Sequence, residues 1–123
     1  MRRLTSSLAG LILALLPALA QAEMMLLMAE EDGCAWCRLW DAEIAEIYPK
    51  TPEGKAAPLL RMDIREAPPE GVRISRPLHF TPTFVLLENG HELGRIEGYP
   101  GEDFFWGLLG RMLREAGALP GSG

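Results

Sequence analysis

Positive charge is scarce in this 123-residue chain, where 12 Lys and Arg stand against 17 Asp and Glu. The basic footprint of a nucleic-acid binder is therefore missing. Cysteine is scarcer still, with two residues, short of the four ligands a zinc site wants unless His79 and His91 join them. The longest apolar stretch, Leu8 to Ala20, contains Pro17 and falls well short of the roughly 20 residues that a membrane-spanning helix needs. Repeats, low-complexity tracts and internal linkers are also lacking. What these absences leave is one small domain.

The first 22 residues have the pattern of a secretory signal. Arg2 and Arg3 give a positive start, Leu8 to Leu19 a short apolar run, and Ala20-Gln21-Ala22 a small-x-small cleavage site. No cysteine follows that site directly, so a lipid anchor is not indicated. The expected mature chain begins at Glu23, with ten basic residues against 17 acidic ones and a net charge of −7. A domain is expected over 23–118, with a frayed tail over 119–123. About 100 residues bury enough surface for a core without staples, but leave little room for a second lobe or a large cofactor pocket. Export would place the protein in an oxidising compartment, which changes how its cysteines read.

Met24 to Ala29 is a continuous apolar run that suits a strand buried on both faces. Cys37, Trp40, Ile44 and Ile47 then recur at helical spacing until Pro49. Leu60, Met62 and Ile64 alternate with Arg61 and Asp63, which predicts a second strand at an edge or with one wet face. Pro68, Pro69 and Pro77 make residues 65–80 mostly loop. Thr83 to Leu87 reads as a third, buried strand, and Asn89-Gly90 turns it into a fourth near His91 to Glu97. The final helix places Phe105, Leu108, Leu109 and Met112 at i, i+3, i+4 and i+7, with Glu102 and Asp103 at its start and Gly117 at its stop. The order predicts an α/β fold: a four-stranded mixed sheet flanked by helices, its first two strands parallel through a right-handed crossover.

Cys34 and Cys37 fall where the first strand hands over to the first helix. Free amides and the helix dipole favour an anion there, so Cys34 should ionise more readily than an ordinary thiol. Two sulfurs three residues apart lie on one side of a helix, close enough to exchange a disulfide with little backbone movement. Cys37 shares the apolar stripe with Trp40 and Ile44, whereas Cys34 lies at the tip. The pair therefore reads as an attacking thiolate, Cys34, and a resolving thiol, Cys37. A purely structural bridge would close a loop of a few residues, where loop-entropy stabilisation is smallest. Copper is a competing reading, because Met24, Met25 and Met28 are soft ligands; methionine as core filler is the plainer account of them.

The segments Gly33-Cys34-Ala35-Trp36-Cys37-Arg38-Leu39-Trp40, Phe80-Thr81-Pro82-Thr83-Phe84-Val85 and Gly94-Arg95-Ile96-Glu97-Gly98-Tyr99 together resemble the thioredoxin superfamily over nearly all of the expected mature chain. With Gly98-Tyr99-Pro100-Gly101-Glu102-Asp103-Phe104-Phe105-Trp106, the chain is similar to the periplasmic thioredoxins encoded with bacterial sulfur-oxidation systems. The resemblance implies a reduced thioredoxin-like fold, a redox-active disulfide between Cys34 and Cys37, and a cis-proline at Pro82 whose preceding Thr81 pairs with substrate backbone. It implies a protein disulfide reductase that needs no cofactor or metal. Partners would be proteins with exposed disulfides or reactive cysteines, a sulfur-carrier protein among them, with a membrane thiol transporter as electron donor. Two departures stand out: the strand and helix that usually precede the active-site strand are absent, and Met24 to Ala29 offers no buried acid to relay a proton.

Other residues read less sharply. Trp36 is either a partner-contact platform or leans on a neighbouring loop. His79 is read as a surface loop residue, with thiolate stabilisation as the alternative. Glu30, Glu31 and Asp32 oppose a thiolate at Cys34, and Arg38 offsets part of that repulsion. Three classes of function follow: a thiol-disulfide oxidoreductase, a copper-handling binding protein using Cys34 and Cys37, or a structural interaction domain in which Cys34 is dispensable.

Overall fold

The apolar run at the start of the expected mature chain forms strand β1, Met24–Glu30, one of the two inner strands of the sheet it joins. The computed structural model describes residues 10–12, 14–15 and 22–121. Most of the expected leader lies outside them, as do Ser122 and Gly123. β1 pairs in parallel with the edge strand β2, Leu59–Asp63, and antiparallel with β3, Thr83–Glu88. β3 continues through Asn89-Gly90 into β4, His91–Glu97, the other edge. Both turn residues have positive φ, 50° and 83°, which Asn and Gly tolerate and which matches the twist of the paired strands. The sheet order is β2-β1-β3-β4, the mixed four-stranded arrangement expected from the sequence.

Alternation along β1 divides the core in two. Leu26 and Met28 point to one face, where they join Trp40, Ile44, Phe84, Leu86, Phe105 and Leu109. Leu27 and Ala29 point to the other, with Met62, Val85 and Leu87. Helix α1, Ala35–Trp40, and the C-terminal helix α3, Glu102–Glu115, cover the first face. No helix covers the second among the described residues; the irregular strap between β2 and β3 lays Ile64, Val72, Ile74 and Leu78 across it. Trp40 sits at the centre of an aromatic cluster, with ring centroids 5.3 Å from Phe84 and 5.8 Å from Phe105. Each such pair contributes about 0.5–1.5 kcal/mol beyond the burial itself.

The structure departs from the sequence reading at several positions. The first helical stripe was expected to end on Ile47, but Ile47 is exposed and Tyr48 is buried. The turn Asp41–Ala45 that continues α1 is π-helical, which is wider than an α-turn and rotates the following residues, so Tyr48 takes the inward position. A short helix, α2, Pro52–Ala56, was not anticipated. Its signal was present: the Thr51 hydroxyl caps the Gly54 amide at 3.0 Å, with Pro52 at the first helical position. Only glycine fits at 54, because a Cβ there would lie 1.7 Å from the Tyr48 carbonyl oxygen. In α3, Leu108 is exposed and Leu113 is buried beside Phe105 and Leu109; the inward stripe runs 105, 109, 113 rather than through 108. Leu119, at the start of the expected tail, packs partly buried against the core.

Candidate redox site

Gly33 makes the turn from β1 into α1 at φ +80°, a left-handed conformation that costs other residues energy. The Cys34 amide closes this turn on the Glu31 carbonyl at 3.3 Å. Cys34 then takes extended backbone angles as the N-cap of α1, and its Sγ accepts the Cys37 amide at 3.1 Å. A sulfur here occupies the position that a capping oxygen usually fills, against the unpaired amides of the first turn. Cys34 and Cys37 are joined as a disulfide with their Cα atoms 5.3 Å apart. Cys34 is half-buried, whereas Cys37 is 4% exposed and belongs to the core cluster with Trp40. The two sulfurs therefore differ in access, as their positions along the stripe predicted.

The Thr81–Pro82 peptide bond is cis, as the resemblance implies. Pro82 is buried and immediately precedes β3, whose first residue, Thr83, lies opposite Ala29 near the end of β1. That register brings the Thr81–Pro82 turn to the sheet end from which Cys34 emerges. The Thr81 hydroxyl donates to Glu31 Oε1 at 3.2 Å, tying the turn to the segment just before the disulfide. Behind it, the Gly98 amide donates to the Pro82 carbonyl at 2.7 Å.

The acidic run is less free than it looked. Glu30 accepts from Arg61 Nε, and Arg61 Nη2 reaches Asp41 on the π turn. The guanidinium also lies 5.8 Å from the Trp40 ring centroid. Burial favours a lower pKa for Arg61, but its bonds to Glu30 and Asp41 outweigh this and hold it above the ordinary value. Glu30 is thus matched by a cation, which leaves Glu31 and Asp32, both exposed, nearest the cysteine pair in sequence.

Trp36 is 59% exposed between the cysteines rather than packed against a neighbouring loop. Phe80, 57% exposed two residues before Pro82, adds an apolar surface that the sequence reading passed over; an aromatic beside a Thr-Pro loop was its available signal. His79 is exposed, with its ring edge-on to Phe80 at 6.5 Å. The methionines do not converge into a ligand set: Met24 and Met28 fill the core under the helices, while Met25 packs on the opposite face. Among the described residues, no three His, Cys, Asp or Glu side chains are grouped to hold a metal ion.

No protein-family model matches the chain. No curated protein matches it either. Among solved structures, it is similar to the periplasmic thioredoxin SoxS from Paracoccus pantotrophus in its reduced form. The two are 54% identical, with a TM-score of 0.75, over 76% of this chain and 99% of that one. The four strands, their order and the first and last helices agree with the arrangement the sequence predicted, and the cysteine pair stands at the head of α1. With that identity across the whole length of the relative, the chain belongs to the thioredoxin superfamily, among the periplasmic thioredoxins of the SoxS type, and carries a thioredoxin-like Cys-x-x-Cys pair at Cys34 and Cys37.

Proposed function

We propose that the protein is a periplasmic disulfide reductase acting on partner proteins, exported by cleavage of residues 1–22. The observation that carries this is the unequal access of the two sulfurs: Cys34 at the tip of α1, Cys37 buried one turn below it. In the reduced protein, the Cys34 thiolate attacks one sulfur of a partner disulfide. A mixed disulfide forms, and the other partner sulfur leaves as a thiolate that takes up a proton. Cys37 then loses its proton and attacks the Cys34 sulfur. This closes the Cys34–Cys37 bond and releases the second partner thiol, so two electrons have passed to the partner. The first-turn amides of α1 favour the attacking thiolate.

Trp36, Thr81 and Pro82 form the docking surface in this reading, with an extended partner segment lying along the Thr81–Pro82 turn. The SoxS relative and the Cys-Ala-Trp-Cys centre support a role in sulfur oxidation, in which the partner is a sulfur-carrier protein whose reactive cysteine is kept reduced. A reductant in an oxidising compartment must be recharged from outside it, which implies a membrane thiol transporter as donor. The dithiol itself carries the electrons, so no cofactor enters.

The test is trapping. Cys37→Ser should accumulate a mixed disulfide with the partner through Cys34, and Cys34→Ser should accumulate none. Faster alkylation of Cys37 than of Cys34 at neutral pH would reverse the assignment.

A further inference from the structure

The redox segment is tied to the Thr81–Pro82 turn directly at one point and through Gly98–Tyr99 at a second. Before Cys34, Glu31 Oε1 accepts from the Thr81 hydroxyl at 3.2 Å. After Cys37, the π turn carries Glu43, whose Oε1 accepts from the Tyr99 hydroxyl at 3.1 Å. Tyr99 is buried against Phe105, and burial first, then the Glu43 carboxylate, push its phenol well above the ordinary value. It stays protonated and donating throughout the physiological range. The residue before it, Gly98, donates its amide to the Pro82 carbonyl at 2.7 Å.

These contacts close a ring. It runs from Cys34 back to Glu31, across to Thr81 and Pro82, across again to Gly98 and Tyr99, and through Glu43 down the helix to Cys37. The π turn has a place in it: a wider turn shifts the side chains that follow it relative to a regular α-helix. Glu43 is half-buried, on the same turn as the core residue Ile44.

We infer that Tyr99 and Glu43 are positioning residues for thiol-disulfide exchange, holding the cysteine-bearing helix in register with the turn on which the partner docks. The inference rests on the reductase reading for its kinetic consequence, but its structural consequence stands apart from it. Neither side chain carries the exchange itself, since the reacting atoms are the sulfurs of Cys34 and Cys37. The Tyr99–Glu43 pair acts by restraining the two walls between which the partner's disulfide must lie, and a docked protein substrate feels that restraint while a small disulfide does not.

Tyr99→Phe removes one oxygen from a site that an aromatic ring still fills. For a protein or peptide disulfide, kcat/KM should fall about two- to tenfold, the range that one net hydrogen bond supports. The loss should appear mainly in KM, while turnover of a small disulfide such as hydroxyethyl disulfide stays unchanged. Glu43→Gln, which keeps an acceptor, should remain near wild type. Glu43→Ala should match Tyr99→Phe, and the double variant should be no worse than either single one, as expected for two ends of one interaction. Equal loss on both substrates, or on neither, overturns the inference, as does additivity in the double variant. Amide exchange in the oxidised protein reads the ring without any turnover. Tyr99→Phe should speed exchange at Gly98 and Cys37 together, and unchanged protection at both would overturn the inference even if the wild type reduced no disulfide. Wild-type inactivity with altered exchange would instead count against the reductase reading alone.

Discussion

Replacing Arg95 by methionine asks how the strap that leads into Thr81 and Pro82 is held. The side chains of Arg95 and Glu92 are each 4% exposed, with Nε 2.7 Å from Oε2. Arg95 also donates to the carbonyls of Arg76 at 2.9 Å and Pro77 at 3.1 Å, and Glu92 accepts the Ser75 amide at 2.9 Å. One buried ion pair on β4 thus grips three consecutive strap residues. Arg95→Met preserves much of the apolar stem but leaves a buried carboxylate without its cation and two carbonyls without their donor. Removing one partner of a buried pair costs about 3–5 kcal/mol, and at ~4–8 °C per kcal/mol for a domain of this size the thermal midpoint should fall by at least about 12 °C.

The same variant carries a pH signature. Burial pushes the Glu92 carboxyl up, but the bonds from Arg95 and from Ser75 outweigh it and hold it below the ordinary value. A carboxylate lowered in the fold contributes stability above its unfolded pKa of about 4.3, and loses it as pH falls through the lower folded value. In Arg95→Met the unpaired carboxylate is raised instead, and acid relieves it. Urea unfolding at pH 7 and pH 4 should therefore show a smaller gap between wild type and variant at pH 4. Glu92→Leu combined with Arg95→Met should recover most of the loss, since the stranded charge causes it. A cost below about 1 kcal/mol at pH 7, the range of a solvated surface pair, would refute the reasoning.

Gly33→Ala should lose about 1–2 kcal/mol in urea unfolding, because its φ is +80° and an added Cβ meets nothing within 4 Å; no loss would mean that the turn does not need the left-handed conformation. Intact mass of exported protein should correspond to a chain beginning at Glu23, and retention of residues 1–22 would contradict the cleavage site. The equilibrium potential of the Cys34–Cys37 couple should lie nearer about −270 mV than about −120 mV, since Glu31 and Asp32 work against extreme thiolate stabilisation; a value at the upper figure would make the protein an oxidant.

The elements that surround the disulfide were legible because their signals are local. An apolar run, a helix-starting cysteine pair, an Asn-Gly hairpin and a Thr-Pro strand start each act over a few residues, and their order leaves few ways to assemble a sheet. The same locality explains the misses. Periodicity alone allows either Ile47 or Tyr48, and either Leu108 or Leu113, to face inward; the π turn and the packing of α3 on the sheet made the choice. Nor does the strap between β2 and β3 announce which face it covers, because its apolar residues follow no regular period.

By itself, the sequence determined where the two sulfurs stand, which of them is buried, and what kind of sheet holds them, since all three follow from spacing along short segments. Only the tertiary structure decided which distant side chains brace that site. Glu31 meets Thr81 across 50 residues and Glu43 meets Tyr99 across 56. The ion pair of Glu92 and Arg95 spans three residues, but its grip on the strap reaches back 17 to 19. Such contacts form only after the sheet has brought separate segments to one end, so no pattern within a single segment encodes them.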